Sequence, residues 1–187
     1  MASNDYVFRT VWSVDGTCEE VSDVLSDARG LSRWWPSVYL TIDQTADGDA
    51  EGVGKRVEVH SRAILPYDLR WSFEVTEARR PHGFALVAQG DLTGDGRWTL
   101  TQRGPRCEVV YDWRVRADKP ILAALSWLLK PVFSANHRWA MARGEESLRL
   151  ELARRRGEQV PAPPGPIRPI VWVGAAAAAV ALIALAL

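Results

Sequence analysis

Acid–base or nucleophilic catalysis needs a nucleophile beside a base, two facing carboxylates, or metal ligands that converge on one point. This chain has three histidines to offer. His60 alternates in phase with Arg56, Glu58 and Arg62, which puts it on a wet strand face, and His82 sits inside the turn Arg79-Arg-Pro-His-Gly83. His137 is the interior candidate. With its neighbour Asn136 it either presents a polar pair to an interior space, or Asn136 ties down strand loops while His137 stays in solvent. Asp91, Asp95 and Asp112 fall in a turn or on polar strand positions and make no pair. The run Gly90-Asp-Leu-Thr-Gly-Asp-Gly96 has the look of a calcium loop but lacks the alternating oxygen ligands and closing Glu, so it reads as a hairpin turn. HExxH, GxSxG, GxxxxGK[ST] and GxGxxG are all absent. Cys18 and Cys107 lack a CxxC or His-rich context and read as small buried hydrophobes, with a disulfide as the alternative. No catalytic residue, metal site or cofactor is assigned from these patterns.

Lys+Arg and Asp+Glu each number 23. A nucleic-acid partner is therefore not expected, because phosphate neutralisation needs a basic surplus. The segment 1–156 is large enough for one domain with its own core.

The elements that would position these groups follow from periodicity. Tyr6, Phe8, Trp12 and Val14 alternate with Arg9 and Ser13 as in a half-buried strand, stopped by Asp15-Gly16. Thr17 and Glu20 form a capping box ahead of a helix with Val21, Val24, Leu25 and Ala28 on one face. A short second helix carries Leu31, Trp34 and Trp35 up to Pro36. From Ser37 to Arg116 six more strands are expected, broken at Asp47-Gly48, Gly52 to Gly54, Pro66, Pro81 to Gly83, Asp95-Gly96 and Gly104-Pro105. The clearest sets Tyr67, Leu69, Trp71, Phe73 and Val75 against Asp68, Arg70, Ser72, Glu74 and Thr76, so one face is buried and the other wet. After Lys119-Pro120 a helical period runs to about Arg156, with Pro131 marking a kink or a new first turn. The fold class is α+β: a curved antiparallel sheet covered by a long helix. Gly144, within that helix, implies close approach of the sheet or space kept for something else.

The segment 157–169 reads as a stiff Pro-rich linker. Residues 170–187 carry no charge, and Ile170, Trp172, Val180, Leu182, Ile183 and Leu185 are among their strong apolar side chains. At about 1.5 Å per residue such a run spans roughly 27 Å as a helix, close to the thickness of bilayer hydrocarbon. A C-terminal transmembrane anchor in the cell membrane is expected. Arg154 to Arg156 and Arg168 lie before it, which orients the domain to the cytoplasm. The start of the chain has neither the basic segment nor the apolar run of a signal peptide. Arg149 and Arg154 to Arg156 are expected to face anionic headgroups.

The order strand, two short helices, six strands and long closing helix resembles the helix-grip fold of the START-like (SRPBCC) superfamily. The segments Trp98-Thr-Leu100, Val109-Val-Tyr-Asp-Trp-Arg-Val115, Lys119-Pro120 and Phe133-Ser-Ala-Asn-His-Arg-Trp-Ala-Met-Ala-Arg-Gly-Glu-Glu-Ser-Leu148, with Trp34-Trp35-Pro36, look like bacterial polyketide cyclase/dehydrase and lipid-transport proteins over roughly residues 4–155. That resemblance implies a seven-stranded sheet wrapped around the long helix, with a cavity for an apolar ligand between them. The cavity candidates are Trp34, Trp35, Trp71, Phe73, Phe84, Trp98, Tyr111, Trp113, Asn136, His137, Trp139 and Ala140. The nine Trp agree with such a cavity, or fill a solid core instead. The favoured function is membrane-anchored binding or transport of a hydrophobic small molecule: a lipid, a polyketide or a quinone-like compound. The alternatives are a cyclase or dehydratase using His137, Asn136 or Tyr111 as acid or base, and a membrane-tethered interaction module.

Overall fold

Strand alternation builds the sheet, and the closing helix lies across its apolar face. The computed structural model describes residues 5–65, 67–117 and 126–167. Its elements run β1 (Asp5–Asp15), α1 (Cys18–Leu25), α2 (Leu31–Trp34), β2 (Tyr39–Ala46), β3 (Arg56–Ser61), β4 (Leu69–Ala78), β5 (Gly83–Gly90), β6 (Leu92–Arg103), β7 (Arg106–Ala117) and α3 (Ser126–Arg155). All seven strands form one antiparallel sheet in the order β1-β7-β6-β5-β4-β3-β2. The first strand thus pairs with the last, from Asp5 opposite Arg116 to Asp15 opposite Arg106. Register shifts at Tyr39/Thr41, Gln44/Ala46 and Val75/Glu77 help to bend the sheet.

The expected capping box is present: Glu20 N–H donates to Thr17 Oγ1 and Thr17 N–H to Glu20 Oε2. One expected break is not a turn. The chain reverses at Asp91, and β6 runs straight through Asp95 and Gly96. Glycine serves close approach here, since a Cβ on Gly96 would lie 2.9 Å from both the Trp113 ring and the Tyr111 hydroxyl.

The described part of the closing helix runs from Ser126, with Pro131 inside it rather than opening a new helix; the expected helical residues before Ser126 lie outside the described ones. Val14, Val21, Val24, Val57, Val109 and Leu148 are fully buried where it meets the sheet and α1. Its C-terminal end is held by charge. Glu151, only 1% exposed, accepts hydrogen bonds from Arg33, Arg154 and Arg155. Burial alone would raise its pKa, but these three guanidinium groups outweigh burial and hold it at about 2. Arg156 binds Glu20 and the Asp15 carbonyl, and Arg149 binds Glu145 and the Ser13 carbonyl. The four arginines expected to face headgroups are thus engaged within the chain: Arg149 and Arg156 tie α3 to β1 and α1, Arg155 reaches Asp27 ahead of α2, and Arg154 stays on Glu151 and the Pro161 carbonyl.

Among the described residues no helix is long and apolar enough to cross a membrane. The run 170–187 lies outside them.

Candidate functional site

Between the sheet and α3 is about 910 Å³ of empty space, part of it open to solvent. The sheet contributes Tyr6 and Phe8 from β1, Tyr39 from β2, Trp71 from β4, and Tyr111 and Trp113 from β7. These positions are every second residue of their strands, so the pleat aims them at one face. The helix contributes Phe133, Asn136, His137, Ala140 and Met141, which recur every three or four residues. Trp35, Val38, Arg62 and Tyr67 close the ends.

The rings form a continuous belt. Tyr111 stacks on Trp98 at 4.0 Å between centroids, lies 5.7 Å from Trp113, and Trp113 lies 6.1 Å from Trp71. Tyr6 meets Phe133 edge-on at 5.6 Å, joining belt to helix. Trp35 reaches the cavity because α3 leaves room for it, its ring edge lying where Gly144 would carry a Cβ. This resolves the two expectations for Gly144 in favour of space kept for a side chain.

The sequence candidates divide accordingly. Trp35, Trp71, Tyr111, Trp113, Asn136, His137 and Ala140 line the cavity. Trp34 does not: it is fully buried behind Trp35, at 5.4 Å between centroids. Trp98 is also displaced from the lining, backing Tyr111 from the far side against Trp12 and Phe84. Phe73 and Phe84 face a smaller depression with Leu25, Leu31 and Lys55. Trp139 turns away from the cavity, with the Arg143 guanidinium 5.9 Å from its ring centre. Residue 139 lies two positions from both His137 and Met141, which on a helix turns it away from the arc that they share with Asn136 and Ala140. The sequence reading passed over Tyr6, Phe8, Tyr39, Tyr67 and Phe133 as lining groups. The inward phase of β1 was the available signal for the first two.

The polar groups have distinct tasks. Asn136 Oδ1 accepts hydrogen bonds from the backbone N–H groups of Ile64 (2.9 Å) and Leu65 (3.1 Å), so it ties the β3–β4 loop to α3. His137 stacks on Phe8 at 4.1 Å and its Nε2 lies 3.4 Å from the Thr10 hydroxyl. Burial, with Arg138 nearby, lowers its pKa to about 4, so the imidazole is neutral near pH 7. His60 sits on the outer sheet face as expected but is engaged by Asp68, its Nε2–H donating at 2.8 Å. Arg62, at the cavity edge, binds the other Asp68 oxygen and, with His60, holds that carboxyl at about 2. Burial raises the pKa of Tyr39 and Tyr111 and, to about 12, that of Tyr67. All three remain phenols and hydrogen-bond donors. Among the described residues no partner meets the buried indole N–H of Trp35. The wall therefore offers neutral donors on an apolar ground. No group of three or more His, Cys, Asp or Glu side chains among the described residues is placed to hold a metal.

A model of the family described as polyketide cyclase / dehydrase and lipid transport matches residues 7–153. The Zhui aromatase/cyclase from Streptomyces sp. R1128 is similar in structure, with TM-score 0.64 and 14% identity over 81% of this chain and 96% of its own. A START superfamily protein from Mycobacterium smegmatis has TM-score 0.58 and 15% identity over 76% and 98%. Norcoclaurine synthase from Thalictrum flavum has TM-score 0.54 and 13% identity over 84% and 90%. At these identities the likeness is one of fold. No curated protein matches the sequence.

Proposed function

Since this chain belongs to the polyketide cyclase / dehydrase and lipid transport family, we propose that its cavity captures and releases an uncharged, largely apolar small molecule bearing a hydrogen-bond acceptor. One observation carries the reading: the space between sheet and helix is walled by aromatic rings whose phenol and indole groups are neutral donors. A carbonyl or ether oxygen satisfies such donors, whereas a carboxylate would sit among phenols with only the paired Arg62 for a counter-charge. Binding suits these groups better than catalysis. A general base works best with a pKa near the working pH, and His137 at about 4 is too weakly basic for that at pH 7. A family cyclase reaction would have to use the phenols as acids.

The proposal extends to the run 170–187 as a membrane tether. An apolar ligand partitions into bilayers, so a tethered domain meets it at a higher local concentration than a free one would. Organic extraction of the purified full-length chain, followed by mass spectrometry, should yield a bound neutral compound. Titration with the neutral naphthalene ketone prodan should quench tryptophan fluorescence saturably. No extractable compound and no saturable quenching would defeat the reading and leave a solid aromatic core.

A further inference from the structure

We propose that Cys18 and Cys107 form a thiol pair that a small two-electron oxidant converts into an intramolecular disulfide. Their sulfurs lie 3.3 Å apart, and both residues are free and buried. A disulfide needs an S–S distance of about 2.05 Å, so the sulfurs must approach by roughly 1.3 Å, within reach of small side-chain rotations.

The surrounding polar contacts hold the pair in place. Gln102 Oε1 accepts the Cys18 backbone N–H at 2.9 Å, and Gln102 Nε2 lies 3.2 Å, 2.8 Å and 3.2 Å from the carbonyl oxygens of Gly16, Gly104 and Arg106. Gly16 N–H donates to the Pro105 carbonyl at 3.0 Å, and Arg106 pairs with Asp15 at 3.1 Å. The β1–α1 turn is thus stapled to the β6–β7 hairpin, with Cys18 over Cys107. Such prior positioning gives one thiol a high effective concentration at the other.

In the reaction two S–H bonds break and one S–S bond forms. Two electrons and two protons pass to the oxidant: a diazene becomes a hydrazine, or a small disulfide leaves as two thiols. Cys18 is the first residue of the eight-residue α1, so lifting one helical turn uncovers it. Cys107 is fully buried in β7, and burial together with the Cys18 thiol raises its pKa to about 12. Cys18 therefore meets the oxidant first and Cys107 displaces the leaving group. Neither residue lines the ligand cavity.

The test treats the native full-length chain with diamide. The expected result is loss of two hydrogens in the intact mass, a Cys18–Cys107 linked peptide, and a melting midpoint raised by roughly 5–15 °C that dithiothreitol reverses. Cys18→Ser and Cys107→Ser should each abolish the shift. Quantitative alkylation of both thiols on unfolding after diamide treatment, or linkage only between chains, would overturn the proposal. The peptide map of the unsubstituted chain decides the matter even where a serine variant fails to fold.

Discussion

The indole of Trp35 occupies the place of a side chain at Gly144: a Cβ there would lie 2.3 Å from Cζ2 of the ring. Alanine at a helix interior normally gains about 1 kcal/mol over glycine. Here Gly144→Ala must displace a nearly buried ring, an overpacking that costs typically 1–3 kcal/mol or more. We expect net destabilisation in urea unfolding, and displacement of Trp35 should narrow the cavity and weaken prodan binding. Trp35→Leu should restore most of the stability in the double variant. Additive losses would mean that the two positions do not compete for space.

Tyr111 separates packing from recognition. Tyr111→Phe keeps the 4.0 Å stack on Trp98 and removes only the hydroxyl. Stability should change little, while prodan binding should weaken by on the order of fivefold, the worth of about one hydrogen bond. Trp113→Ala should reduce binding further and also cost stability, since large-to-small changes of buried rings cost about 3–5 kcal/mol. Unchanged affinity in Tyr111→Phe would remove that hydroxyl from the site.

Acid should unfold the protein in two stages. His137 has a folded pKa of about 4, below its ordinary 6.5, so above pH 6.5 neither state binds the proton and stability is unaffected. As pH falls from 6.5 to 4 the unfolded chain takes up a proton that the folded chain refuses, a loss of at most about 3 kcal/mol. Glu151, held at about 2 against an ordinary 4.5, contributes stability that is present above pH 4.5 and lost between 4.5 and 2. Glu20 and Asp68, also held at about 2, act in the same lower window. His137→Phe should flatten stability against pH in the upper window alone, and Glu151→Gln should reduce the slope in the lower. An unchanged upper slope in His137→Phe would assign that titration elsewhere.

Asn136→Ala should release the β3–β4 loop, because both loop hydrogen bonds end on one side-chain oxygen. Amide exchange at Ile64 and Leu65 should accelerate on the order of tenfold, for the loss of roughly 1–2 kcal/mol of local stability. Asn136→Asp retains an acceptor and should restore protection. Equal exchange rates in all three proteins would show that other contacts hold the loop.

The membrane proposal is checked by fractionation. Deleting residues 168–187 should move the chain from the membrane pellet to the supernatant with its fold intact by circular dichroism. Two arginines at Ala177 and Ala178 should do the same, each costing about 2.5–3.5 kcal/mol at the centre of a spanning helix. A full-length chain found in the supernatant without detergent would end the tether idea.

Local information in the sequence was enough for most of the elements, the inward phase of the clearest strands and the capping box at Thr17, though not for the strand that runs through Asp95 and Gly96. These depend on periods of two and 3.6 residues and on contacts three or four positions apart, which the chain carries in one dimension. For the same reason Trp71, Tyr111 and Trp113 were legible as inward rings, while Trp35 was named only through the family resemblance. Sheet curvature and the seating of α3 were not. Only they decided that Trp98 backs the cavity wall while Tyr111 forms it, that Trp139 turns outward to Arg143, and that Asn136 meets the backbone at Ile64 and Leu65. The tertiary fold also brought Cys18 to Cys107 across 89 residues and turned Arg149 and Arg154 to Arg156 from an apparent surface patch into a clamp on Glu145, Glu151 and Glu20. Such pairings rest on strand register and helix placement, which the whole core fixes cooperatively and no short stretch of sequence encodes.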